Sequence, residues 1–134
     1  MKPTSAILVI ALTLLSIPCF ATWSIIVTDP KTKMIGVAGA SCTPNVYGIG
    51  FIMPGKGVVV VQAMSNGFAK LTGFQMIMKD VPSDSILRKL REPEFDPEHQ
   101  QYAVVCLYDN SQPKTYTGTK NDAYAGTLDR KSVV

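Results

Sequence analysis

The run Gly57-Val58-Val59-Val60-Val61-Gln62-Ala63 is the strongest constraint on what this chain can fold into. Consecutive β-branched residues are stiff at χ1 and favour strand over helix, and a strand apolar on both faces has to be covered on both. It reads as a buried central strand. Before it, residues 23–28 alternate Trp23, Ile25 and Val27 with Ser24, Ile26 and Thr28, and the turn residues Asp29-Pro30-Lys31-Thr32-Lys33 follow. Residues 34–41 resume as a strand whose small Gly36, Ala38, Gly39 and Ala40 let another backbone or layer approach, which makes a first hairpin. Residues 48–53 give a third strand, and the turn Pro54-Gly55-Lys56-Gly57 leads into the fourth, residues 58–63.

Asn66-Gly67 breaks the strand pattern. Leu71, Phe74, Ile77 and Met78 then recur at helical spacing, so residues 68–79 are expected as an amphipathic helix that Asp80-Val81-Pro82 ends. Ser83 or Asp84 is expected to cap a second helix carrying Ile86, Leu87 and Leu90, and Pro93 stops it. Pro93 and Pro97 make residues 92–100 a loop. Residues 102–109 and 114–119 form a last hairpin around Asn110-Ser111-Gln112-Pro113. The order ββββ-αα-ββ defines an α+β class with helices laid on antiparallel sheets. Beyond it, Ser132-Val133-Val134 resembles the start of a further strand.

With 46% hydrophobic and 17% charged residues the chain is not a disordered tail. A net charge of +3, with no basic stripe interleaved with aromatics, argues against nucleic acid as a partner. No cofactor is expected, because no glycine-rich loop opens a helix and the lone His99 anchors no metal-ligand cluster. Gly55-Lys56-Gly57 is a turn between strands and not a phosphate cradle.

Residues 6–17 carry no charge and are too short for a membrane span of ~20 residues. With Lys2 before them, Pro18 after them and Cys19-Phe20-Ala21 placing small residues at the −3 and −1 positions, they read as a secretory signal peptide cut after Ala21. An uncleaved anchor would want a longer apolar run, and Pro18 is awkward for lipid attachment at Cys19. The expectation is a secreted or periplasmic domain over residues 22–134 with no stable membrane span after cleavage. It keeps Cys42 and Cys106, which either pair in an oxidising compartment or act as small buried hydrophobes in apolar strands.

Cleavage would expose Thr22. A threonine at a free N-terminus holds its own base, since an α-amino group of pKa ~8 is partly neutral and can take the hydroxyl proton. The stretch Thr22-Trp23-Ser24-Ile25-Ile26-Val27-Thr28-Asp29-Pro30 is followed by Ile35-Gly36-Val37-Ala38-Gly39-Ala40-Ser41 and Gly57-Val58-Val59-Val60-Val61-Gln62-Ala63. These three blocks, in this order, resemble the bacterial and archaeal family known as domain of unknown function 1028. The resemblance implies an N-terminal nucleophile hydrolase-like fold, a four-layer α-β-β-α sandwich, in a family without an established substrate. It also implies a truncated chain, because family members continue past the block resembling Tyr124-Ala125-Gly126 with a further strand and helices. A missing layer would leave sheet edges open to a partner or to a second copy in a homo-oligomer.

By matched position the resemblance makes Thr22 the nucleophile of an amide or acyl hydrolase acting on a small-molecule or peptide-like substrate. Ser41 would support the amine or a water. Lys56 falls roughly where relatives in the wider superfamily carry a lysine that lowers the nucleophile's proton affinity, but the family is not consistent there and a solvated turn lysine is the simpler reading. Gln62 and Asn66 match a Gln-Ala-x-x-Asn block and either donate to an oxyanion or serve as a strand-end glutamine and a helix cap. Gln100 stands where the family tends to show arginine, which removes a possible charge partner for an anionic substrate. The rival to the hydrolase is a non-catalytic secreted binding module or a gene remnant of this family. Protein recovered from a secreting host is predicted to begin at Thr22, checked by intact mass and N-terminal sequencing; a chain retaining the apolar segment would remove the free amine.

Overall fold

The structure is a computed structural model, and it describes residues 22–109, 112–121 and 125–128. The expected signal peptide, the expected strand at residues 132–134 and half of the turn at residues 110–113 lie outside the described residues. The elements run β1 (Thr22–Asp29), β2 (Met34–Ser41), β3 (Gly50–Met53), β4 (Gly57–Ala63), α1 (Gly67–Met78), α2 (Ser83–Leu90), β5 (Gln100–Cys106) and β6 (Lys114–Thr117). β1 and β2 form a two-stranded sheet, while a second sheet has the order β3-β4-β5-β6, every neighbour antiparallel.

The valine run lies in the middle of the larger sheet and is covered on both sides. Val59 and Val61 face the helices and pack with Ala69, Ile77, Ile86 and Leu90, whereas Val58 and Val60 face the hairpin and meet Ile26, Ile35 and Val37. All four valines are at most 1% exposed. The described residues therefore make three layers: helices, the four-stranded sheet, then the hairpin. The fold is α+β, as the element order indicates. On the outer face of the hairpin Trp23 and Ile25 stand 56% and 45% exposed, with no described element over them.

The inward face of α1 differs from the expected stripe. Leu71 and Met78 are largely exposed, and the buried positions are Ala69, Lys70, Gly73 and Ile77. Small residues win because they let the helix axis sink toward β4; a Cβ at Gly73 would stand 2.9 Å from a methyl of Val59. Apolar periodicity located the helix but not its rotation.

The start of α2 also differs. Pro82 occupies the N-cap and offers no side-chain acceptor, so neither Ser83 nor Asp84 caps the helix. The backbone N–H of Ser83 instead donates to Asp109 Oδ2 at 2.8 Å, a long-range substitute for a local cap. Residues 93–95 and 97–99 tighten into two 3-10 turns, each led by a proline, and β5 starts at Gln100 because Gln100 pairs with Ala63. Cys42 and Cys106 are both free. Cys106 is buried, and desolvation pushes its thiol up to about 11; Cys42 is exposed, contrary to its apolar sequence surroundings. Among the described residues no helix is long and apolar enough to cross a membrane.

Gly57 belongs to β4 and not only to the turn before it. It pairs with both Met53 and Cys106, and a Cβ there would lie 2.5 Å from the carbonyl oxygen of Val105. Gly57→Ala is expected to lower stability by about 1–3 kcal/mol through overpacking against backbone that cannot yield, read from the midpoint of urea unfolding at unchanged m-value.

Candidate functional site

The site grows from the register of the first hairpin. Asp29 fixes the turn, accepting from the Lys31 backbone N–H at 2.9 Å and from the Thr32 hydroxyl at 2.7 Å. Those bonds, the Thr32 one foremost, hold its carboxyl below the usual carboxylate range. From that turn the antiparallel ladder places Thr22 directly opposite Ser41. Their hydroxyl oxygens are 2.8 Å apart, and Ser41 Oγ also accepts from the Thr43 backbone N–H at 3.3 Å.

Gln62, near the end of β4, ties this hairpin end to the larger sheet. Its Oε1 accepts from the Ser24 hydroxyl at 2.6 Å, and its Nε2 donates to Gln101 Oε1 at 2.9 Å and to the Thr22 carbonyl at 3.4 Å. Both amide hydrogens thus have protein acceptors, which makes Gln62 a positioning residue for β1 and leaves it no spare donor for an oxyanion.

Asn66 is the N-cap of α1. Its Oδ1 accepts from the Ala69 backbone N–H at 3.0 Å and its Nδ2 donates to the Phe95 carbonyl at 3.1 Å. Its Oδ1 thus serves as the helix cap, one of the two alternatives the sequence offers. Lys56 is at the opposite end of β4 from Gln62, about 20 Å away along the strand. There it pairs with Asp80 at 2.8 Å and donates to the Met78 carbonyl at 3.0 Å. The structure brings together Thr22, Ser41 and Gln62, and places Lys56 and the Asn66 side chain elsewhere.

Thr22 and Ser41 open into a cleft of about 250 Å³ walled by residues 43–49, the end of β4 and the first turn of α1. Its floor is backbone in an uncommon conformation. Ala63 and Ser65 both have positive φ, 70° and 51°, in the left-handed region where a Cβ costs about 1 kcal/mol or more. The cleft also contains a residue absent from the sequence expectations: Lys70, only 8% exposed. Its ammonium donates to the Gly48 carbonyl and lies 3.5 Å from Ser65 Oγ, with the Phe51 ring 5.5 Å away. Desolvation lowers its proton affinity below that of an ordinary lysine. The available signal was its spacing, since Lys70, Gly73 and Ile77 fall at i, i+3 and i+7 on the small-residue face.

A second hollow of about 570 Å³ lies between the sheets, lined by the inward-facing Ser24 and Ile26 together with Val60, Ala103 and Leu128 among others. It shares Gln62 with the threonine cleft. Among the described residues no three His, Cys, Asp or Glu side chains converge as metal ligands.

Fold and site together define an α+β domain whose first strand starts at a threonine paired with a serine in a small cleft. The sequence profile of the family described as "Family of unknown function (DUF1028)" matches residues 22–134, and the chain belongs to that family. No curated protein and no solved structure matches the chain.

Gln62→Leu is expected to destabilise the protein by about 1–3 kcal/mol, because Ser24 and Gln101 lose partly buried partners. Lys56→Ala, which breaks an exposed pair, should change stability by less than about 1 kcal/mol. Parallel urea titrations compare the two, and a larger effect at Lys56 would contradict this assignment.

Proposed function

We propose that this protein is exported, freed at Thr22 by removal of residues 1–21, and acts as an N-terminal threonine hydrolase on an amide or acyl bond. The observation that carries this reading is the Thr22–Ser41 hydroxyl pair at 2.8 Å in a cleft at the start of β1. That the family match starts at Thr22 supports it as well.

In the proposed reaction Thr22 Oγ1 attacks the substrate carbonyl carbon while its proton passes to the α-amine of the same residue. The amine returns the proton to the leaving nitrogen or oxygen as the tetrahedral intermediate collapses, which leaves an ester on Thr22. Water then attacks that ester with the amine again as base, releasing the acid and restoring the hydroxyl. Ser41, whose oxygen already accepts from the Thr43 N–H, can donate its own hydrogen to Thr22 Oγ1 and favour the oxygen as its proton departs. Gln62 holds the Thr22 carbonyl and so fixes the strand end that carries the nucleophile.

The apolar hollow between the sheets favours a second reading, a secreted module that binds a ligand without turning it over. A β-lactone electrophile separates the two. Protein from a secreting host should gain one acyl group on its N-terminal peptide by mass spectrometry. Thr22→Ala, and a variant with one extra residue before Thr22, should gain none while keeping the same circular dichroism and melting temperature. Labelling retained in Thr22→Ala, or absent from a chain shown to start at Thr22, favours the binding module.

A further inference from the structure

Among the described residues, Lys70 is the one lysine or arginine in the wall of the threonine cleft, and no aspartate or glutamate lines that wall. Its remaining neighbours there are hydroxyls, amides, backbone carbonyls and apolar groups. An ammonium carries three hydrogens; the Gly48 carbonyl and Ser65 Oγ account for two, and the Phe51 ring 5.5 Å away offers a neutral π face that is no full counter-charge. Lysine is almost never this deeply buried without a carboxylate, because desolvating a charge is unfavourable unless something of opposite sign compensates it. Three other described lysines, all more exposed, show the ordinary arrangement. Lys56 has Asp80, Lys89 has Glu92 and Glu94, and Lys114 has Asp84.

The position is held from several sides. Ala69 and Gly73, the small residues beside Lys70, seat α1 against the larger sheet, and the left-handed backbone at Ser65 turns the chain so that its hydroxyl reaches the ammonium. Gly48, also at positive φ, presents its carbonyl from the opposite wall.

We infer that the missing counter-charge is supplied by the ligand, so that the amide or acyl compound taken at Thr22 carries a carboxylate that Lys70 binds. This rests on the threonine reading for the reaction, but the anion preference is a property of the cleft itself and is measurable apart from it. The volume of about 250 Å³ is just under the ~300–1,000 Å³ range of drug-sized pockets, which fits a small carboxylate and not a protein surface.

The test compares N-acetylglycine with its neutral isostere N-acetylglycinamide, titrated into the full chain from a secreting host and followed by NMR chemical shifts. Thr22→Ala serves as the background so that hydrolysis cannot consume either probe. The carboxylate is expected to bind about tenfold or more tightly than the amide, as a charge-assisted hydrogen bond would produce. Lys70→Met should bring the two probes to near parity, and Lys70→Arg should keep a preference for the carboxylate. The comparison of probes on the Lys70 protein does not depend on any Lys70 variant folding. Equal binding of the two probes, no saturable binding of the carboxylate, or an undiminished preference in a folded Lys70→Met would overturn the inference. A carboxylate preference in a protein that the β-lactone never labels would retain the anion site and discard the hydrolase.

Discussion

The pairing of β4 with β5 is the contact on which the remaining structure depends. β4 is hydrogen-bonded on both edges and apolar on both faces, so one strand supplies the floor of the helical core and the ceiling of the hairpin core. Burying four valines at about 1.5–3 kcal/mol each is a large share of the stability a domain of this size holds. Damage to this ladder reaches both layers, and through Gln62 it reaches Thr22.

Two different mechanisms place the two hydroxyls and the lysine of the cleft. Thr22 and Ser41 meet through register alone. Once the turn at Asp29 is fixed, an antiparallel hairpin leaves no freedom over which residue faces which. Lys70 arrives through packing, since α1 can only settle on β4 with its smallest residues inward, and the lysine shares that face. Glu98 is tied at the far edge by long-range bonds: hydroxyls of Thr119 and Tyr116 together hold its carboxyl at about 2 and fasten β6 to the 3-10 turns.

Much of the fold was legible because its signals are short-range. The alternation in residues 23–28, the valine run and the proline stops located strands, helices and breaks to within a few residues. Thr22 and Ser41 were named separately through the family resemblance, and it is the register of the hairpin that sets them opposite one another. Lys56 was not, because nearness in sequence to a strand says nothing about which end of the sheet that strand end occupies. The Asn66 side chain answered a local demand, the unpaired amides at the start of α1, before any chemical one. The rotation of α1 escaped the apolar stripe because glycine and alanine carry no hydropathy signal, yet they decide how close two backbones come. The α2 cap is a contact across 26 residues of sequence, which no local pattern contains.

Cys42 follows Ser41 directly and precedes Thr43, two residues of the cleft wall, and it is exposed. The other described cysteine is buried with its thiol held in the protonated form at neutral pH. A thiol-directed fluorophore or spin label added under mild conditions therefore meets a single exposed thiol among the described residues, one peptide bond from the serine that touches Thr22. The native chain offers a spectroscopic vantage point on its own cleft without an engineered cysteine.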